Sequence, residues 1–159
     1  MPVAALHPRA HEAPQPWCCR SATSRCVPAQ GAHRVLFPPR PREAGRVRRY
    51  LRSCVAASTQ AARLPLDEAE LVVTEMFSNA VNHADHAESP LLVAVNEWGC
   101  VLRLEVHDPD PYMGACSRRG DLALSGRGLL LIASLSRSWG VLPSGQGKLV
   151  YAEIAVGHS

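Results

Sequence analysis

The sequence predicts a two-layer α/β sandwich of the α+β class, a mostly antiparallel sheet with helices on one face. Three observations carry this. Helix-like and strand-like segments come in runs (two helices, two strands, a loop, a helix, two strands), which points to segregated layers rather than alternating βαβ units. An apolar share of 47% is enough for a real core. A length of 159 residues fits one ordinary domain.

Residues 1–33 are rich in Pro, Ala, Ser, Arg and His and show no apolar period. They are expected to form a disordered extension, with the folded domain spanning 34–159. RVLFPP reads as a short extended piece, because Pro38 and Pro39 push their neighbours out of the helical region. Over 41–62, Val47, Tyr50, Leu51, Cys54 and Val55 recur at helical spacing, while Arg46, Arg48, Arg49 and Arg52 fill much of the rest. This predicts an amphipathic helix with a basic face, either solvated or a docking surface for an acidic partner.

Leu64-Pro65-Leu66-Asp67 punctuates the chain. Asp67 is expected to cap a second helix running to Ala84, with Glu68 and Glu70 favourable in its first turn. Residues 91–97 read as a strand, and Trp98-Gly99-Cys100 as a tight connection. Over 101–107, Leu102, Leu104 and Val106 alternate with Arg103, Glu105 and His107, so the two strands form an antiparallel hairpin with one buried face. Asp108-Pro109-Asp110-Pro111 ends the second strand sharply, and the segment after it, to Ser125, reads as a loop of functional length. A helix over 127–137 and strands over 138–142 and 148–156 complete the order.

Charge is lopsided. Residues 1–63 hold eleven Arg against Glu12 and Glu43, giving +9, and residues 64–159 hold six basic against twelve acidic residues, giving −6. The basic third suits nucleic acid, an acidic partner or solvent, but few aromatics lie among its arginines, which argues against nucleic acid. No apolar run reaches the ~18 residues of a membrane span, and the opening residues lack a continuous apolar stretch, so a cytoplasmic protein is expected. The six cysteines contain no CxxC pair. Cys18, Cys19, Cys26 and His33 have ligand chemistry without a usual zinc spacing, so reduced thiols are expected.

The stretch ELVVTEMFSNAVNHA raises the functional question. It is apolar on most sides, yet holds Glu75, Asn79, Asn82 and His83. With Glu75 at zero on a wheel of about 100° per residue, Asn79 falls at about 40°, Asn82 at about −20° and His83 at about 80°. They make one stripe. An acid and an amide one turn apart suit a polar ligand, because Asn offers an oxygen to a hard cation such as magnesium and Glu can serve as a base. The same stripe would also suit a satisfied structural network. Further on, Asp108 ends a strand, and Gly126-Arg127-Gly128 opens an apolar helix where backbone N–H groups can approach phosphate. No Rossmann or P-loop fingerprint is present.

The order ExxxN, strand ending in Asp, loop, GxG opening a helix, then a strand with GK resembles the ATP-binding domain shared by gyrase and the histidine kinases, the GHKL class with its Bergerat-type fold. Most closely it looks like the anti-sigma-factor serine/threonine kinase branch in its short regulatory form. EMFSNAVNHA is similar to that branch's N box, and GRGLLLIASLSRSWG followed by GKLVYAEI to its glycine box and closing strand. The resemblance covers residues 34–156. It implies that Asn79 ligates Mg2+ bridging the ATP phosphates and that Glu75 is the catalytic base. It implies that Asp108 accepts from the adenine amino group, and that Gly126, Arg127 and Gly128 line the phosphates. Asn82 and His83 would border the pocket, Lys148 would lie near the base, and residues 109–125 would form a lid. The larger class follows this Asp with glycines, where this chain has Pro109 and Pro111. The resemblance further implies a sigma factor or anti-anti-sigma protein as partner, and a homodimer. Two functions stay open on the residues alone: a protein kinase, or a binding module without catalysis.

Overall fold

The computed structural model describes residues 33–83, 89–98, 100–109, 126–145 and 147–157. Residues 1–32 of the expected extension, residues 110–125 of the expected lid, and Cys18, Cys19 and Cys26 lie outside the described residues, while His33 is the first residue of a strand. Five strands form one sheet in the order β1-β2-β3-β5-β4, all neighbours antiparallel. They are β1 (His33–Phe37), β2 (Leu91–Trp98), β3 (Val101–Asp108), β4 (Ser138–Ser144) and β5 (Gly147–Ala155). Three helices, α1 (Ala44–Ala56), α2 (Leu66–His83) and α3 (Gly126–Leu135), make the second layer. The chain is the α+β sandwich its sequence predicts.

Each helix buries the face its periodicity sets aside. In α1, Val47, Leu51, Cys54 and Val55 are buried, and in α2 so are Ala69, Val72, Val73, Met76, Phe77 and Ala80. Facing them are Val93, Val95, Leu102, Leu104, Val106, Ala152 and Ile154 from the sheet. Each fully buried Leu, Val or Phe contributes about 1.5–3 kcal/mol relative to exposure, so this seam dominates the fold's stability. Phe37 ties the edge strand in, with ring centroids 5.8 Å from Tyr50 and 6.2 Å, edge-on, from Phe77.

Element ends differ from expectation for local reasons. The first helix is shorter than 41–62: Pro41–Glu43 is a 3-10 turn leading in, and Ala61–Arg63 is a separate turn beyond its end. The second helix starts ahead of Asp67. The Pro65 carbonyl already accepts from Ala69 N–H at 3.0 Å, so Asp67 sits within the first turn instead of capping it. The third helix stops at Leu135 because Arg137 N–H turns to the Glu153 carbonyl, 2.9 Å away, and starts strand pairing.

The hairpin departs from a one-faced pattern. Leu102, Leu104 and Val106 face the helices as expected, but Arg103 and Glu105 on the other face are buried as well. The Arg103 guanidinium lies 5.3 Å from the Trp98 ring centroid and 4.2 Å from that of Tyr151. It donates to Glu105 at 2.7 Å and to Glu153 at 2.8 Å. Among the described residues, side chains of the sheet itself, Trp98, Tyr151 and Glu153, surround this network.

Candidate functional site

The site grows from α2, the helix that packs on α1, α3 and β3 together. Glu75 and Asn79 are half-buried and project from one side of it, and Asn82, a turn further on, is exposed. His83 is the last residue of α2. The stripe therefore lies along the border of the core, and the desolvation cost of a carboxylate and two amides is correspondingly small.

Opposite the stripe stands the start of α3. Gly126 and Arg127 are its first two residues. Gly128 follows, and a Cβ there would collide with Oε2 of Glu75 and lie 3.4 Å from its Cδ and 3.7 Å from Nδ2 of Asn79. With glycine at this position the first turn of α3 comes this close to the acid and the amide without displacing the Glu75 carboxylate. The structure thus brings together Glu75, Asn79 and Gly128, the polar pair and the N-terminus of a helix, whose orphan N–H groups and dipole favour an anion.

At the end of the central strands a second pair forms. Asp108 and Lys148 are register partners across β3 and β5. Lys148 Nζ stands 3.0 Å from Asp108 Oδ2, and the carboxylate side chain is 0% exposed. Gly147 makes this fit possible. A Cβ there would lie 2.8 Å from Cα of Pro109, and backbone cannot yield as a side chain would. The sequence shows Gly147 and Lys148 only as a dipeptide, and nothing local marks Asp108 as the lysine's partner.

Sequence reasoning also missed a groove between α1 and α2. It has a volume of about 440 Å³ and is lined by Arg48, Asp67, Glu70, Leu71, Thr74 and Glu75. Arg48 Nη1 donates to Thr74 Oγ1 at 3.4 Å, and Leu71 is half exposed. Glu75 therefore faces Gly128 and also lines this groove. The one available signal was the i, i+4 spacing of Leu71 and Glu75 on an exposed side of α2.

The expected basic face of α1 is largely spoken for. Arg46 donates to the buried Glu43 at 2.8 Å, and Arg52 makes a two-pronged contact with Glu70, its Nη2 arm at 2.8 Å. Glu70, expected to favour the first turn of α2, serves as this partner. Arg49 is exposed. Among the described residues no three His, Cys, Asp or Glu side chains cluster as a metal site, and no helix is long and apolar enough to cross a membrane.

A layered α+β fold, with an acid–amide stripe set against a glycine-opened helix, defines a GHKL-type, ATP-binding, kinase-like domain. The comparison with known families agrees: residues 37–154 match the histidine kinase-like ATPase domain, and the chain belongs to that family. No curated protein matches the chain.

Proposed function

We propose that the protein is an ATP-binding regulator of the anti-sigma type, a cytoplasmic serine/threonine kinase acting on an anti-anti-sigma partner through its 34–159 domain, and working as a homodimer. The observation that carries this is the convergence of Glu75, Asn79 and Gly128. Phosphoryl transfer asks chiefly for positioning and charge neutralisation, with a base to take the acceptor's proton. The start of α3, with Gly126, Arg127 and Gly128, receives the phosphates. Asn79 would hold Mg2+ through its side-chain oxygen, a hard donor that suits the ion. When bound, the ion would neutralise phosphate charge.

Glu75 lines the groove from which an acceptor serine or threonine would approach, so one carboxylate serves both substrates. Asp108 is the acceptor for the adenine amino group, with Lys148 beside it. Asn82 and His83 border the pocket. Calorimetric titration with Mg-ATP tests this. Micromolar binding, weakened by Asn79→Ala and Asp108→Asn, followed by phosphotransfer lost in Glu75→Ala, is the expected result. Absence of binding at millimolar ATP would remove the kinase.

A second reading is a non-catalytic module that sequesters a sigma factor. Its support is the Asp108–Lys148 ion pair, with which the adenine amino group must share the carboxylate. In that case Glu75→Ala leaves regulation intact.

A further inference from the structure

A second cavity, of about 390 Å³, opens where α1 ends, where the connection over 57–65 leads to α2, and where β2 and β3 approach their turn. Leu66, the first residue of α2, is about 20 Å along that helix from Asn79, so this cavity shares no residue with the Glu75–Asn79–Gly128 site. Val55, Leu64, Val95 and Leu102 give it an apolar floor. Against that floor stands one carboxylate, the half-buried Glu97.

The acid is held from both sides by neutral donors. Ser58 Oγ donates to its Oε2 at 2.6 Å, and Gln60 Nε2 donates to its Oε1 at 2.8 Å. Gln60 N–H donates to Ser58 Oγ at 3.0 Å and so fixes the hydroxyl in turn. These donors orient Glu97 and leave its charge in place, and two carboxylate oxygens have lone pairs for more than two bonds. Two observations set the sign of a guest. Among the described residues no cationic side chain pairs with Glu97; Arg63, the basic residue of the connection, turns to the Gly157 carbonyl, 3.4 Å away. Helix α1 also ends here, with Val55 and Ala57 in the cavity wall, and its last turn holds no basic residue to answer the negative end of the helix dipole.

We propose that this cavity binds a small alkylammonium, a primary amine on an apolar stem like that of lysine. The ammonium donates to Glu97 and the stem lies on the floor. An apolar pocket with a few placed polar groups is the usual form of a small-molecule site, and its volume falls in the lower part of the roughly 300–1,000 Å³ such sites span. The inference goes beyond nucleotide binding and does not depend on it.

The test is titration of the full chain with n-butylammonium, followed by amide NMR spectra, beside n-butanol, Nα-acetyl-lysine amide and the variant Glu97→Gln. Butylammonium should saturate, shifting the amides of Ser58, Gln60, Glu97 and Leu102. Butanol should bind at least about tenfold more weakly, and Glu97→Gln should weaken butylammonium about tenfold or more while leaving butanol unchanged. Equal affinity for the amine and the alcohol would overturn the inference, as would indifference to Glu97→Gln or no saturation by about 10 mM amine. Tighter binding of the lysine amide than of butylammonium would overturn it in favour of a lysine side chain from another protein. If thermal melting shows Glu97→Gln unfolded, the amine-to-alcohol ratio in the unaltered protein decides alone.

Discussion

Gly128 lies so close to Glu75 that a methyl group in place of its hydrogen would meet the carboxylate Oε2. The obstructing atom is the far end of a flexible side chain, so Glu75 can swing away at low cost. Alanine also favours a helix over glycine by about 1 kcal/mol. Gly128→Ala should therefore melt within a few degrees of the unaltered protein while losing about tenfold or more in ATP affinity, since Asn79 is crowded too and the phosphate approach narrows. Adding Glu75→Ala should raise the melting temperature above that of Gly128→Ala alone. Two independent, additive changes would show that the contact is not felt.

The Asp108–Lys148 pair predicts asymmetric energetics. Breaking a buried pair by removing one partner strands the other charge, at about 3–5 kcal/mol. Asp108→Asn should lower the unfolding free energy by an amount in that range, because Lys148 keeps its ammonium 9% exposed against a neutral amide. Removing both charges in Asp108→Asn/Lys148→Met should recover half of the loss or more. Equilibrium urea unfolding measures both, and a double variant less stable than either single one would contradict the pairing.

These residues show what sequence can and cannot display. Helices α1 and α2 are legible because burial repeats at 3.6 residues, which puts Val47, Leu51 and Val55, or Val72, Met76 and Ala80, on one side. The Glu75–Asn79 stripe is legible for the same reason. Lys148 is not, because its partner depends on register: Asp108 and Lys148 meet only once β5 has found β3. Arg103 misleads by the same route. Alternation assigns it to solvent, and only the pairing of Arg103 with Asn96 and Glu153, and of Glu105 with Tyr151, builds the cage that buries it.

That cage gives a pH prediction. Burial alone would push the Glu105 carboxyl up, but contacts from His107 and Arg103 overcome it and hold the group down to about 2, against an ordinary 4.5. A carboxylate held below its unfolded value stabilises the fold above the unfolded value, and that contribution disappears as pH falls through the folded one. Stability should thus decline from about pH 4.5 to about pH 2, with Glu105 contributing on the order of 3 kcal/mol. Glu105→Gln should flatten that part of a plot of urea midpoint against pH. An unchanged slope would place the acid sensitivity elsewhere.

Arg103 should tolerate no conservative change. Lysine keeps the charge but has no planar group to stack between Trp98 and Tyr151, and no fork to serve Glu105 and Glu153 at once. Arg103→Lys should cost about 1–3 kcal/mol, and Arg103→Met about 3 kcal/mol or more because Glu105 is left buried without its cation. Both are read by chemical denaturation, and near-equal stability of the three proteins would show that the stack is incidental.

On α1 the arginines divide by their partners. Arg46 is held by Glu43 and Arg52 by Glu70, so their charges are largely answered within the chain. Among the described residues no carboxylate pairs with Arg49, and its side chain faces solvent. If the basic face receives an acidic partner, Arg49 is the charge that partner feels most. Arg49→Glu should slow association with the phosphoacceptor protein several-fold and reduce its salt dependence, because exposed charge acts mainly on the encounter rate. Arg52→Glu should do less to the partner and more to the helix pair, since it sets two carboxylates against each other at Glu70. Stopped-flow association at two ionic strengths, with thermal melts alongside, separates the two effects. Equal rates for Arg49→Glu and the unaltered protein would move the docking surface off α1.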